Sequence, residues 1–208
     1  MREGARSSRW PGLGSVVVQA AAFTLVELML LMGLGSILAA IAAWHVASGV
    51  ERYRAQGAAR YVAARLQAAR QESVARGVFV AVRFEGAGVS LRFATYVDGS
   101  RNGVSAQEIA DGIDRMLGPP GDLSGFSGVE FGVEPGQVGP DGLVLTSGDP
   151  IRFGTSRMAS FSPMGTSSSG SVYIRSRRGG EYVVRVFGDT AKTQTLRFDR
   201  RWGRWVPL

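Results

Sequence analysis

Residues Phe23 to Trp44 read FTLVELMLLMGLGSILAAIAAW, apolar almost throughout. At about 1.5 Å per residue a helix of this length spans roughly 33 Å, which is one crossing of a bilayer. Arg2, Arg6 and Arg9 precede the stretch, whereas Arg52 and Arg54 follow it at some distance and are partly offset by Glu51. The positive-inside rule then favours a cytoplasmic N-terminus and export of the bulk of the chain. A cleaved secretory signal or a plain signal anchor has a similar apolar stretch. Glu27 argues against both, because a carboxylate this far into a span costs about 2.5–3.5 kcal/mol and persists only with a partner or as the neutral acid. Cleavage between Ala22 and Phe23 creates such a partner, the new α-amine of Phe23. A neighbour's amine brought to Glu27 in a low dielectric then fixes axial register.

Beyond Trp44 no proline occurs until Pro119, and VASGVERYRAQGAARYVAARLQAARQESVARG is rich in good helix formers. The helix is therefore expected to run to about Arg76, with Arg76 at the negative end of its dipole and Gly77 as its stop. Val50, Tyr53, Ala58, Tyr61, Val62, Leu66, Ala69 and Val74 recur near helical spacing and should pack on a head. Arg52, Arg60, Arg70 and Glu72 fall mainly on the other side, as a solvated face or a filament contact.

The remainder, from residue 77, alternates in strand fashion. Val78, Val80, Val82 and Phe84, then Val89, Leu91 and Phe93, flank Glu85-Gly-Ala-Gly88 as a β-hairpin. Further strands are expected at Leu143–Leu145, Ile151–Phe153, Arg157–Phe161, Ser171–Arg175, Glu181–Phe187, Thr195–Asp199 and Arg204–Val206, spaced for packed antiparallel sheets. Asp98 to Gly142 reads as a long surface excursion holding a short helix, Ala106–Leu117. The fold class is α+β: a leader (1–22), a long N-terminal helix (23–76, with 23–44 in the membrane) and a β-rich, β-sandwich-like head (77–208).

Charge is unevenly placed. The chain carries +7, of which the first 22 residues hold three arginines and one glutamate. Asp98–Asp149 has nine acidic and two basic residues, and Arg175–Arg204 has nine basic and three acidic, so the C-terminal end is the cationic part. Without cysteine there is no disulfide, thiolate metal site or cysteine nucleophile. The single histidine, His45, lies at the membrane edge, and no nucleophile motif or phosphate-binding glycine loop occurs, so no enzymatic activity and no cofactor is expected. Asp98, Ser100, Asn102 and Gly103 have the spacing of a calcium loop, but the closing position is Ile109, with Glu108 one residue short, which favours an ordinary polar turn. Asp111 and Asp114 read as solvated surface.

AFTLVELMLLMGLGSILAAIA resembles the N-terminal motif of type IV prepilins and type II secretion pseudopilins, through Phe23, Thr24, Leu25 and Glu27. LQAARQESVARGVFVAVRF, FSPMGTSSSGSVYI and RFDRRWGRW are similar to the helix-to-strand junction and the C-terminal segments of the GspH/FimT group of minor pseudopilins and minor pilins. That resemblance implies a pilin-like fold and cleavage before Phe23 by a prepilin peptidase, which also methylates the new amine. It implies assembly through Glu27, with Thr24 beside it, into a filament with other pilins or pseudopilins on an inner-membrane platform. Ala22 stands where the family usually has glycine. Related DNA-uptake minor pilins use a C-terminal Gly-Arg segment. Here Arg197, Arg200, Arg201 and Arg204 with Trp202 and Trp205 combine phosphate donors and stacking faces for DNA. The composition favours the plainer alternative, a last strand whose tryptophans fill the core edge and whose arginines pair with Asp199, Asp189 or a neighbouring subunit.

Overall fold

The computed structural model describes residues 24–208 apart from 88, 89, 135, 146, 147, 178 and 179, and the side chains of 44, 45, 47 and 48. The leader, Ala22, Phe23, Val89 and the His45 side chain lie outside the described residues. Two compact units divide between Ala43 and Trp44.

α1 runs Leu25–Arg76. It ends as its sequence dictates: Gly77 takes a left-handed φ of 65°, and Arg76 pairs with Glu72 one turn back at 2.6 Å. In the first unit, Leu25–Ala43 is long and apolar enough to cross a membrane and none of it is buried.

In the second unit the strands are β1 (Val80–Glu85), β2 (Arg92–Val97), β3 (Arg115–Met116), β4 (Val129–Phe131), β5 (Ile151–Arg152), β6 (Met158–Phe161), β7 (Gly170–Ser176), β8 (Glu181–Val186), β9 (Thr193–Asp199) and β10 (Arg204–Pro207), and α2 is Ala106–Ala110. One sheet has the order β3-β2-β1-β6 and the other β10-β9-β8-β7-β4, with β5 also on β7. All pairings are antiparallel, and the first hairpin joins Phe84 to Phe93 and Glu85 to Arg92.

Both sheets and the helix share one core. Val62 and Leu66 of α1, Val82, Phe84 and Phe161 of the first sheet, and Val172, Ile174 and Val184 of the second belong to a single buried cluster. Phe84 stacks on Phe153 at 6.2 Å and meets Phe93 at 5.8 Å, and Tyr61 carries the aromatic chain back to α1 through Phe93 at 5.7 Å. A smaller cluster, Val133, Leu145, Tyr173, Val183 and Leu196 with Trp205 against it, completes the core.

Several expectations are corrected. The buried helix face is Ala55, Ala58, Ala59, Val62, Leu66, Ala69 and Ser73, while Val50, Tyr53 and Val74 are exposed. At about 100° per residue Tyr53 falls opposite Val62, and Val50 and Val74 fall about 120° away. The helix at Ala106–Leu117 stops at Ala110, because Gly112 turns the chain with φ 73° and Arg115–Met116 is claimed by β2. Leu143–Leu145 is no ladder strand: the turn at Gly139–Gly142 leaves one isolated pairing, Val138 with Val144. Nor is Asp98–Gly142 a pure surface excursion, since Leu123, Phe131 and Val133 are core residues and Val129–Phe131 forms β4 on β7.

Candidate functional site

At its start α1 carries an N-cap. The Thr24 hydroxyl accepts from Glu27 N–H at 3.2 Å, and the Thr24 carbonyl accepts from Leu28 N–H at 3.1 Å. Glu27 is the third helical residue, where a carboxylate suits the positive end of the dipole. Its side chain is exposed among apolar neighbours and, among the described residues, makes no ion pair. Farther along, the Ser36 hydroxyl donates to Met32 C=O at 2.8 Å, so the helix satisfies its own polar group in the apolar stretch.

The C-terminal arginines converge on a hairpin beside α1. β9 and β10 meet at Asp199 and Arg204, and the turn between them closes with Gly203 at φ 58° and Arg201 N–H donating to the Asp199 carboxylate at 2.9 Å. Trp202 stands at the tip, 63% exposed, with the Arg201 and Arg204 guanidiniums 5.6 and 5.8 Å from its ring centroid. Arg197, Arg200 and Arg201 line a groove of about 230 Å³ together with Tyr182 and Arg52. Tyr182 is buried, which pushes its hydroxyl pKa up against the opposing pull of Arg197 and Arg52, and it donates to the Arg52 carbonyl at 3.3 Å.

The six residues do not act as one set. Trp205 is structural: it packs on Phe198 at 5.2 Å and Tyr173 at 6.0 Å, and its indole N–H donates to Val138 C=O at 2.8 Å. Arg200 is held by the buried Glu181 at 3.3 Å. The remaining four surround the groove and tip. Arg52 joins them, a residue that helical spacing assigned to the solvated face; its place beside the buried row, about 80° from Val62, was the available signal.

A third cluster lies between β2 and β3. Asp98, Glu108 and Asp114 bring carboxylate oxygens within 4.8 Å of one another. Asp98 accepts from the amides of Ser100, Arg101 and Gly103 at 3.0, 2.6 and 2.7 Å, and Asp114 from those of Gly99 and Ser105, both at 3.0 Å. Glu108 accepts from Ser100 Oγ at 3.0 Å and Asn102 Nδ2 at 2.8 Å. Asp114, expected on the solvated surface, is buried because it gathers these amides. Every member of the cluster is thus satisfied by protein donors, and its chemistry is that of a pinned loop.

No family model, curated protein or solved structure matches the chain.

Proposed function

We propose that this chain is a membrane-anchored structural subunit of the type IV pilin class, in the GspH/FimT group, with a pilin-like fold. It is cut before Phe23 and packs through α1 into a pilus or pseudopilus, with its head on the outer side of the inner membrane. The observation that carries the reading is Glu27: a carboxylate at the third position of an apolar helix, with no ion-pair partner among the described residues. An isolated charge in a bilayer is disfavoured, by up to about 2.5–3.5 kcal/mol at the middle of a span, and a neighbour's α-amine relieves the cost at Glu27 only when subunits are in register. The Thr24 cap supports the same role by starting the helix at Leu25, two residues after Phe23. The helix then enters an ordinary core, so one element serves as both anchor and scaffold.

The test is a pair of measurements on native material. Mass spectrometry should find a mature N-terminus at Phe23, and Glu27→Ala should remain inserted and cleaved yet fail to enter filaments. A chain that begins at Met1, or normal incorporation of Glu27→Ala, refutes the reading.

A further inference from the structure

Around the β9–β10 hairpin several guanidiniums lack a carboxylate. Arg175 and Arg200 are held by Glu130 and Glu181, but among the described residues Arg52, Arg197, Arg201 and Arg204 make no ion pair. Two of them flank the exposed Trp202. An exposed indole with neighbouring cations is the combination that settles at a headgroup layer, where the ring replaces interfacial water and the guanidiniums meet phosphate.

Chain connectivity bounds how far this surface can stray from the apolar stretch. Tyr182 ties the second sheet to α1 at Arg52, whereas the other end of the packed segment is tied at Ser73, whose hydroxyl donates to Ser162 C=O. Arg52 follows Ala43, the last residue of the apolar stretch, by nine residues. That length holds Arg52 within about 14 Å of Ala43 along a helix and within about 30 Å at full extension, whatever the angle between them. A surface tethered so closely is met at a high effective concentration.

We infer that Arg52, Arg197, Arg201, Arg204 and Trp202 form a docking surface for anionic phospholipid headgroups of the bilayer that α1 crosses. The inference rests on the membrane-spanning reading of Leu25–Ala43 and on no other part of the proposed function. Duplex DNA offers the same phosphate oxygens, but it has to be recruited from solution against salt, whereas headgroups are supplied by the anchor itself.

The experiment uses the full chain in vesicles of phosphatidylcholine, with or without phosphatidylglycerol, doped with a headgroup-nitroxide lipid. The difference in fluorescence quenching between the wild type and W202F isolates Trp202. Trp202 should be quenched in phosphatidylglycerol vesicles and released by high salt. R201Q/R204Q should lower the docked-to-free ratio about twenty-five-fold, at about fivefold per arginine near an anionic surface. Equal quenching in both vesicle types, or no change in R201Q/R204Q, overturns the assignment. So does short duplex DNA that frees Trp202 from phosphatidylglycerol vesicles at equal phosphate concentration, which assigns the surface to nucleic acid. Alkaline carbonate separates the two levels: protein stripped from the vesicles sinks the span and the docking together, whereas retained protein with unquenched Trp202 sinks the docking alone.

Discussion

Asp98→Ala is expected to be among the most damaging changes outside the apolar core, although its neighbours 99–102 are exposed. The carboxylate is 4% exposed and receives three amides, from Ser100, Arg101 and Gly103, at 2.6–3.0 Å. Such bonds to a charged acceptor contribute about 1.5–3 kcal/mol each, net of the bonds to water they replace, where the pair is buried. Water can replace Asp98 at Ser100 and Arg101, so their share is heavily discounted, while half-buried Gly103 is harder to rehydrate. Arg101 moderates the loss, since its φ of 66° is a left-handed conformation costing about 1–2 kcal/mol that the Asp98 contact holds in place and that can relax once the contact is gone. The net loss for Asp98→Ala comes to about 2–4 kcal/mol, or roughly 4–16 °C in Tm for a unit of this size. Asp98→Asn keeps one carbonyl oxygen for Ser100 and Arg101 but turns an N–H donor towards Gly103, so about 1–2 kcal/mol should be lost. Thermal unfolding of the full chain followed by circular dichroism measures both, and amide exchange of 99–105 should quicken in the same order. Asp114→Ala strips the same segment of two further acceptors, so the double variant should lose less than the sum of the singles. A Tm for Asp98→Ala equal to wild type, or equal losses for Ala and Asn, would mean that the Asp98 carboxylate does not hold this loop.

Leu66→Ala, at a fully buried position shared by helix and sheets, should cost about 2–5 kcal/mol in urea unfolding, and Ala58→Leu about 1–3 kcal/mol through overpacking. The two tryptophans should part company: Trp205→Ala about 3–5 kcal/mol, because it packs on Tyr173 and Phe198, and Trp202→Ala within about 0.5 kcal/mol. Burial is the first cause that raises the hydroxyl pKa values of Tyr96, Tyr173 and Tyr182 above 10.0. Their contribution to stability is therefore full below about pH 10 and lost as pH climbs through the raised values. An alkaline titration should show tyrosinate absorbance rising together with unfolding. Calcium should leave the wild-type Tm unchanged, since the oxygens of Asp98, Glu108 and Asp114 already have donors; a rise that Glu108→Gln abolishes would assign that cluster to a cation.

What the sequence disclosed depended on whether a signal was local. Helix formers, Gly77 and the missing prolines bounded α1 to within two residues, because capping and propensity act over a few positions. The strands from Ile151 onward were visible for the same reason, as alternating runs between turn residues. β3 and β4 were not. Arg115–Met116 and Val129–Phe131 are too short for a period to register, and they become strands only because β2 and β7 offer free edges. The helix face shifted for a related cause. Val50, Tyr53 and Val74 looked like core by hydrophobicity, yet the head selects the alanine row, since small side chains let a sheet approach the helix axis closely.

The charged sites show where legibility ends. Asp114 lies sixteen residues from Asp98 in sequence, and nothing in its own neighbourhood marks it as buried; burial follows from five amides in 99–105 that turn toward two carboxylates. The arginine cluster behaves in the opposite way. Its density in the sequence allowed either one binding set or a structural last strand, and the fold divides it, drawing Trp205 into a core edge and Arg200 onto Glu181 while Trp202 stays exposed between Arg201 and Arg204. Arg52 enters that set from far away in the chain through Tyr182. A contact 130 residues apart thus decides which part of α1 the cationic hairpin packs beside, something no local reading of the chain could show.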